Sequence, residues 1–116
     1  MRLEWKKNIS KILNLARLWN WKKLVEYQAG KVISITLAQN DAISITLFAF
    51  AQGEGISTHA ASGDAMIYII DGAAEITIGE EKTNAEKGQV VVMPANIPHG
   101  LDAIDNFKML LIVVRK

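Results

Sequence analysis

Two imidazoles carry most of the side-chain chemistry open to this chain. His59 and His99 are the only histidines among its 116 residues, and it has no cysteine. Disulfides, thiolate zinc sites, thiol nucleophiles and iron–sulfur clusters are therefore excluded. Metal ligation or proton transfer by imidazole must pass through these two positions. The surroundings of His99 are built to hold it still. Pro94 and Pro98 are the only prolines in the chain and bracket Ala95-Asn96-Ile97 just before it. Each fixes its own φ and lowers the entropy lost in holding His99 in one place.

The elements that must position these residues are strands. Residues 33–37 (Ile-Ser-Ile-Thr-Leu) and 43–47 (Ile-Ser-Ile-Thr-Leu) alternate apolar and polar side chains and are near copies, which predicts a hairpin or two adjacent strands. Further strands are expected over 55–61, 65–70, 74–78, 89–93, 99–103 and 107–114. Gly63-Asp64, Asp71-Gly72, Gly79-Glu80 and Lys87-Gly88 supply turn chemistry between them. Gly72, between two apolar runs, sits where a positive φ is needed. Short, regularly spaced strands predict an all-β sandwich or barrel, which limits exposed sheet edges. Strict alternation puts Ser57, His59 and Ala61 on one face of their strand, and His99, Leu101 and Ala103 on one face of theirs.

Two spaced motifs resemble those of the cupin family of small jelly-roll barrels. In the first, Gly53 is followed after five residues by His59, and Gly72 closes the motif. Ala61 stands where the family has a second histidine, and Ala65 where it has a glutamate. In the second, Gly88, Pro94 and His99 fall at the family's intervals, with Asn96 in place of a glycine and Ala103 in place of an asparagine. The resemblance spans about residues 30–114 and implies a cupin jelly-roll β-barrel, also described as a double-stranded β-helix. It also implies that both imidazoles point into one cavity. In metal-bearing cupins three histidines and a glutamate hold one divalent ion, and here two of the four remain. Asp64 and Asp102 lie next to candidate positions, but alternation points both to the opposite face. The expectation is no cofactor, with a weakly held Fe, Mn, Ni, Zn or Cu ion at His59 and His99 as the alternative.

Losing a histidine and a glutamate also makes the implied cup larger and less polar. Its expected lining is His59, Ala61, Ala65, Ile67, His99, Leu101 and Met109, with Ile69, Met93 and Phe48 as further candidates. An apolar cup with few polar groups is the usual form of a small-molecule site. Taken singly, each apolar residue is more often simple packing. Metal-free sugar epimerases of similar fold pair a histidine with a tyrosine. Tyr68 is the only tyrosine within the barrel, and alternation from Ala65 puts it on the opposite face.

The charge is divided. Residues 1–27 hold seven basic and two acidic residues, a net of +5, and residues 28–116 hold six basic and ten acidic, a net of −4. This divides the chain into a basic N-terminal segment, 1–27, and a barrel domain, 28–116. Within the first, Ile9, Ile12, Leu13, Ala16 and Trp19 recur at helical spacing, predicting a short amphipathic helix packed on the barrel or on a partner copy. A basic amphipathic helix with tryptophan can also lie on an anionic membrane, the less favoured alternative. The net charge of +1 argues against a general nucleic-acid binder. No apolar run reaches the ~18 residues of a transmembrane helix, and there is no signal-peptide core, so a cytoplasmic protein is expected. A homodimer is expected from edge protection and from the family resemblance.

Three functions compete at this level. The leading one is a small cupin that holds a small organic molecule in its cup. The second is a metal-dependent enzyme, such as a dioxygenase, isomerase or decarboxylase, with substrate supplying the missing ligands. The third is a dimeric interaction module whose basic segment recruits an acidic partner. Whether the protein is an enzyme is left open.

Overall fold

A computed structural model describes residues 20–115. Among the described residues nine strands form two antiparallel sheets: β1 (Val32–Gln39), β2 (Ile43–Phe50), β3 (Gly55–His59), β4 (Asp64–Asp71), β5 (Ala73–Ile78), β6 (Glu81–Glu86), β7 (Val90–Met93), β8 (His99–Ala103) and β9 (Phe107–Val114). One sheet has five strands in the order β1-β2-β9-β4-β7, and the other has four in the order β3-β8-β5-β6. The two layers face each other across one core, the expected jelly-roll. A single turn of 3-10 helix, Trp21–Lys23, precedes the strands. The helical spacing at Ile9, Ile12, Leu13, Ala16 and Trp19 lies outside the described residues. No helix among the described residues is long and apolar enough to cross a membrane.

The expected hairpin forms between β1 and β2, with Ile35 opposite Leu47 and Thr36 opposite Thr46. Its turn is closed by the Asn40 side chain, whose Oδ1 accepts from the Ala42 and Ile43 amides at 2.9 and 2.8 Å. Period-two reading fails for β6. Its sequence, Glu-Lys-Thr-Asn-Ala-Glu, has no apolar alternation, so no strand is expected there. It forms because β5 is already in place and Gly79, at φ +62°, turns the chain back along it. Only Ala85 faces the core, opposite Ala74. The charged remainder suits an edge strand, where lysine and glutamate discourage pairing with other chains.

Alternation then sorts the five-stranded sheet into two apolar faces. On β4, Ala65, Ile67 and Ile69 join the core between the sheets, whereas Tyr68 and Ile70 pack outside. On β9, Phe107, Met109, Leu111 and Val113 face in, and Leu110 and Ile112 face out. The outer face is covered by the residues just before β1. Val25 is buried among Leu47, Ala49, Ile70 and Leu110, and the Trp21 ring lies 6.0 Å from that of Tyr68. The Tyr27 hydroxyl donates to Asp71 at 2.6 Å. The Lys108 ammonium donates to the Lys22 carbonyl and stands 4.9 Å over the Tyr27 ring. The compositional divide near Gln28 is therefore not a break in packing: residues 21–27 are part of the sheet's outer layer.

Candidate functional site

The two histidines meet at one end of the interlayer space. His59 ends β3 and His99 begins β8, and they are register partners across that ladder. Their ring centroids are 4.6 Å apart, with the planes at 66°. His99 is 5% exposed, while His59 stands open at the rim. Each ring is fixed by the same local device. Nδ1 of His59 lies 3.0 Å from the Ser57 carbonyl, and Nδ1 of His99 lies 3.0 Å from the Ile97 carbonyl. A carbonyl can only accept, so each Nδ1 carries the hydrogen. In the neutral rings both Nε2 atoms keep a free lone pair.

A bulge aims His59. The β3–β8 register shifts between Ile56 and His59, leaving one extra residue on β3. Strict alternation had put Ser57 and His59 on one face. Instead Ile56 and His59 line the cavity, while Ser57 lines a groove on the outside of the sheet. Bulges re-aim side chains in this way. The neighbouring strand must leave room for it: a Cβ on Gly100 would stand 2.9 Å from the Ile56 carbonyl oxygen and 3.1 Å from the Thr58 nitrogen. Gly100 is therefore what lets the bulge seat against β8.

The approach to His99 is held from three sides. Asn96 takes φ +64°, the left-handed conformation that asparagine tolerates better than most residues, at the position where the motif has glycine. Its amide donates to the Ala61 carbonyl at 2.7 Å, and the Pro98 carbonyl accepts from Gly79 at 2.7 Å. The Asp64 carboxylate accepts from the Ala95 amide at 2.7 Å. Asp64 is thus committed to the loop, and Asp102 lines the outer groove.

Between the sheets the histidines open onto a cavity of about 110 Å³. All seven residues expected at the cup border it: His59, Ala61, Ala65, Ile67, His99, Leu101 and Met109, and so does Met93. Ile69 and Phe48 do not. Ile69 is fully buried deeper in the core, and Phe48 packs beside Phe50. Ile56, Gly63, Gly100, Leu111 and Val113 complete the lining. Leu111 and Val113 follow from period two starting at Met109. Ile56 could not be found that way, because the bulge changes the phase. Among the described residues the two imidazoles are the only ionisable side chains in this wall, and the Met93 and Met109 thioethers are weak acceptors. Tyr68 lies on the outer face, so no histidine–tyrosine pair forms in the cup.

The residues present do not fit a site of three histidines and a glutamate. Ala61 and Ala65 stand at two of its positions; of the nearby carboxylates, Asp64 accepts from the Ala95 amide and Asp102 lines the outer groove, not the cup. Among the described residues no group of three or more His, Cys, Asp or Glu side chains could hold a metal ion.

Known proteins share this fold. A family model described as "Cupin domain" matches residues 46–115. An uncharacterised protein of Streptomyces coelicolor is 31% identical over 71 residues, which is 61% of this chain and 68% of that protein. The crystal structure of a conserved protein of unknown function from Streptococcus pyogenes superposes with a TM-score of 0.87 at 39% identity, covering 90% of this chain and 91% of that one. A cupin superfamily protein from Desulfitobacterium hafniense superposes over the full length of both chains, with a TM-score of 0.86 at 32% identity.

Proposed function

This chain belongs to the cupin family, and from that premise we propose that it binds a small organic molecule in the cup, oriented by His59 and His99. The supporting observation is the matched pair of imidazoles. Both are anchored through Nδ1 to a backbone carbonyl two residues earlier, and both border one otherwise apolar cavity. Two fixed acceptors in an apolar wall orient a ligand that brings a hydrogen-bond donor, and the wall takes its apolar body. Alanine at 61 and 65 provides the room. An engineered cavity of about 150 Å³ accepts the six carbons of benzene, so in proportion a buried ligand body of roughly four or five non-hydrogen atoms fits here.

A thermal-shift screen of small alcohols, amides and heteroaromatics on chelator-treated protein tests this reading. A ligand at about 100 times its Kd stabilises by ~2.7 kcal/mol, a shift of roughly 10 °C for a domain of this size. The shift is expected to disappear in His59→Ala and His99→Ala, and in Ala65→Leu, which fills the cup without touching either imidazole. Hits that stabilise all three variants as they do the parent protein would place the binding elsewhere.

A further inference from the structure

The cup contains a soft donor besides its two imidazoles. Met93 ends β7 directly opposite Ala65, the position where the family motif has its glutamate. Residues directly opposite on neighbouring antiparallel strands point to the same face, with Cβ atoms about 5 Å apart. Met93 is 4% exposed and borders the same cavity as both histidines, and a second thioether, Met109, lies deeper on β9. Across the strand from the missing carboxylate, then, stands a sulfur.

The histidines are already held as metal ligands are. A ligating histidine almost always donates its other ring N–H to a carboxylate, a carbonyl or water, which fixes the tautomer and the ring direction. His59 and His99 both do so, to Ser57 and Ile97. Among the described residues no carboxylate borders the cavity, so its donors are two imidazoles and two thioethers, none of them an anionic ligand. Hard or borderline divalent ions gain most from anionic oxygen or thiolate, which this wall lacks. Thioether with imidazole suits a soft monovalent ion, because sulfur ligands select Cu(I). A neutral donor set also leaves only one positive charge to be accommodated in an apolar cavity, half that of a divalent ion.

We propose that His59, His99 and Met93 form a binding site for a soft monovalent metal ion, Cu(I) in reducing conditions, at the rim of the cup. The site uses the imidazoles but does not depend on the organic ligand. An ion there occupies the polar rim and leaves the apolar wall of Ile67, Leu111 and Val113 free.

The test uses Ag(I), a redox-inert counterpart of Cu(I), and full-length untagged protein labelled with ¹³C at the methionine methyl groups. Met66, on β4 between the core-facing Ala65 and Ile67, serves as the internal control. One equivalent of Ag(I) is expected to shift the Met93 methyl resonance and leave Met66 in place. Competition with a chromogenic Cu(I) chelator is expected to give at least tenfold weaker Cu(I) binding for Met93→Leu, a swap of similar volume, and loss of binding for His99→Ala. Zn(II) and Ni(II) are expected to bind more weakly than Cu(I). An unmoved Met93 resonance would overturn the proposal without any variant having to fold. Unchanged affinity in a folded Met93→Leu, or tighter binding of Zn(II), would overturn it too. The ligand screen above is run without metal, so either proposal can fail alone.

Discussion

The two ends of the space between the sheets are built from the same strands, yet one is a core and the other a cup. At the closed end Phe50 and Phe107 stack with centroids 4.6 Å apart and planes within 4°, and both are fully buried. Six residues further along β9, about 20 Å away, Val113 faces Ala65, and Ala61 and two imidazoles replace the aromatic rings. Side-chain volume alone makes the difference. At one end two aromatic rings from neighbouring strands of the five-stranded sheet stack and fill the space, while at the other alanine leaves about 110 Å³ unfilled. Stability should therefore concentrate at the phenylalanine end and binding at the histidine end.

The largest test of this contrast is Phe107→Ala. Removing a buried ring that stacks on Phe50 should cost about 3–5 kcal/mol, read as a lower denaturation midpoint in urea. A loss below about 1 kcal/mol would mean that the closed end is not the stabilising one. Next comes Gly100→Ala. The added methyl presses on the bulge backbone and should cost about 1–3 kcal/mol. It should also displace the His59 ring resonances in NMR while leaving the Phe50–Phe107 signals unmoved. If His59 stays in place, the bulge is not what aims it.

The smallest effect concerns the outer layer, which belongs to neither end. Burial first, then the hydrogen bond to Asp71 and its negative charge, push the Tyr27 phenol well above its ordinary value of 10.0. A pKa raised on folding adds stability that is complete below the unfolded value and is lost as pH rises towards the folded one. Wild-type stability should therefore begin to fall above about pH 10. Tyr27→Phe should lose about 1 kcal/mol at neutral pH and show a flatter alkaline limb. An unchanged slope in the variant would remove Tyr27 from the account.

Much of this was legible in the sequence, for physical reasons. Period two located the strands whose two faces differ, including β8 and β9 to the residue. The spacing of Gly53, His59, Gly72, Gly88, Pro94 and His99 located the cup and the two alanines in it. What stayed hidden were features fixed by neighbours. β6 has no apolar rhythm, because as an edge strand it buries only Ala85. The bulge before His59 changes which residues face inward, so Ile56 was missed and Ser57 misplaced. The basic N-terminal segment is expected to pack on the barrel or on a partner copy, but helical spacing singles out Ile9 to Trp19; Leu24, Val25 and Tyr27, which pack on the sheet, have no such periodicity to mark them.

The central claim is that His59 and His99 present matched lone pairs to one cup that holds an organic ligand. A ¹⁵N spectrum of the imidazoles in metal-free protein, recorded while titrating the best fragment, tests it most directly. The account predicts that both rings are the Nδ1–H tautomer, and that both Nε2 resonances move together with a single Kd as the fragment binds. An Nε2–H tautomer in either ring, or a fragment that binds while both Nε2 resonances stay fixed, would contradict it.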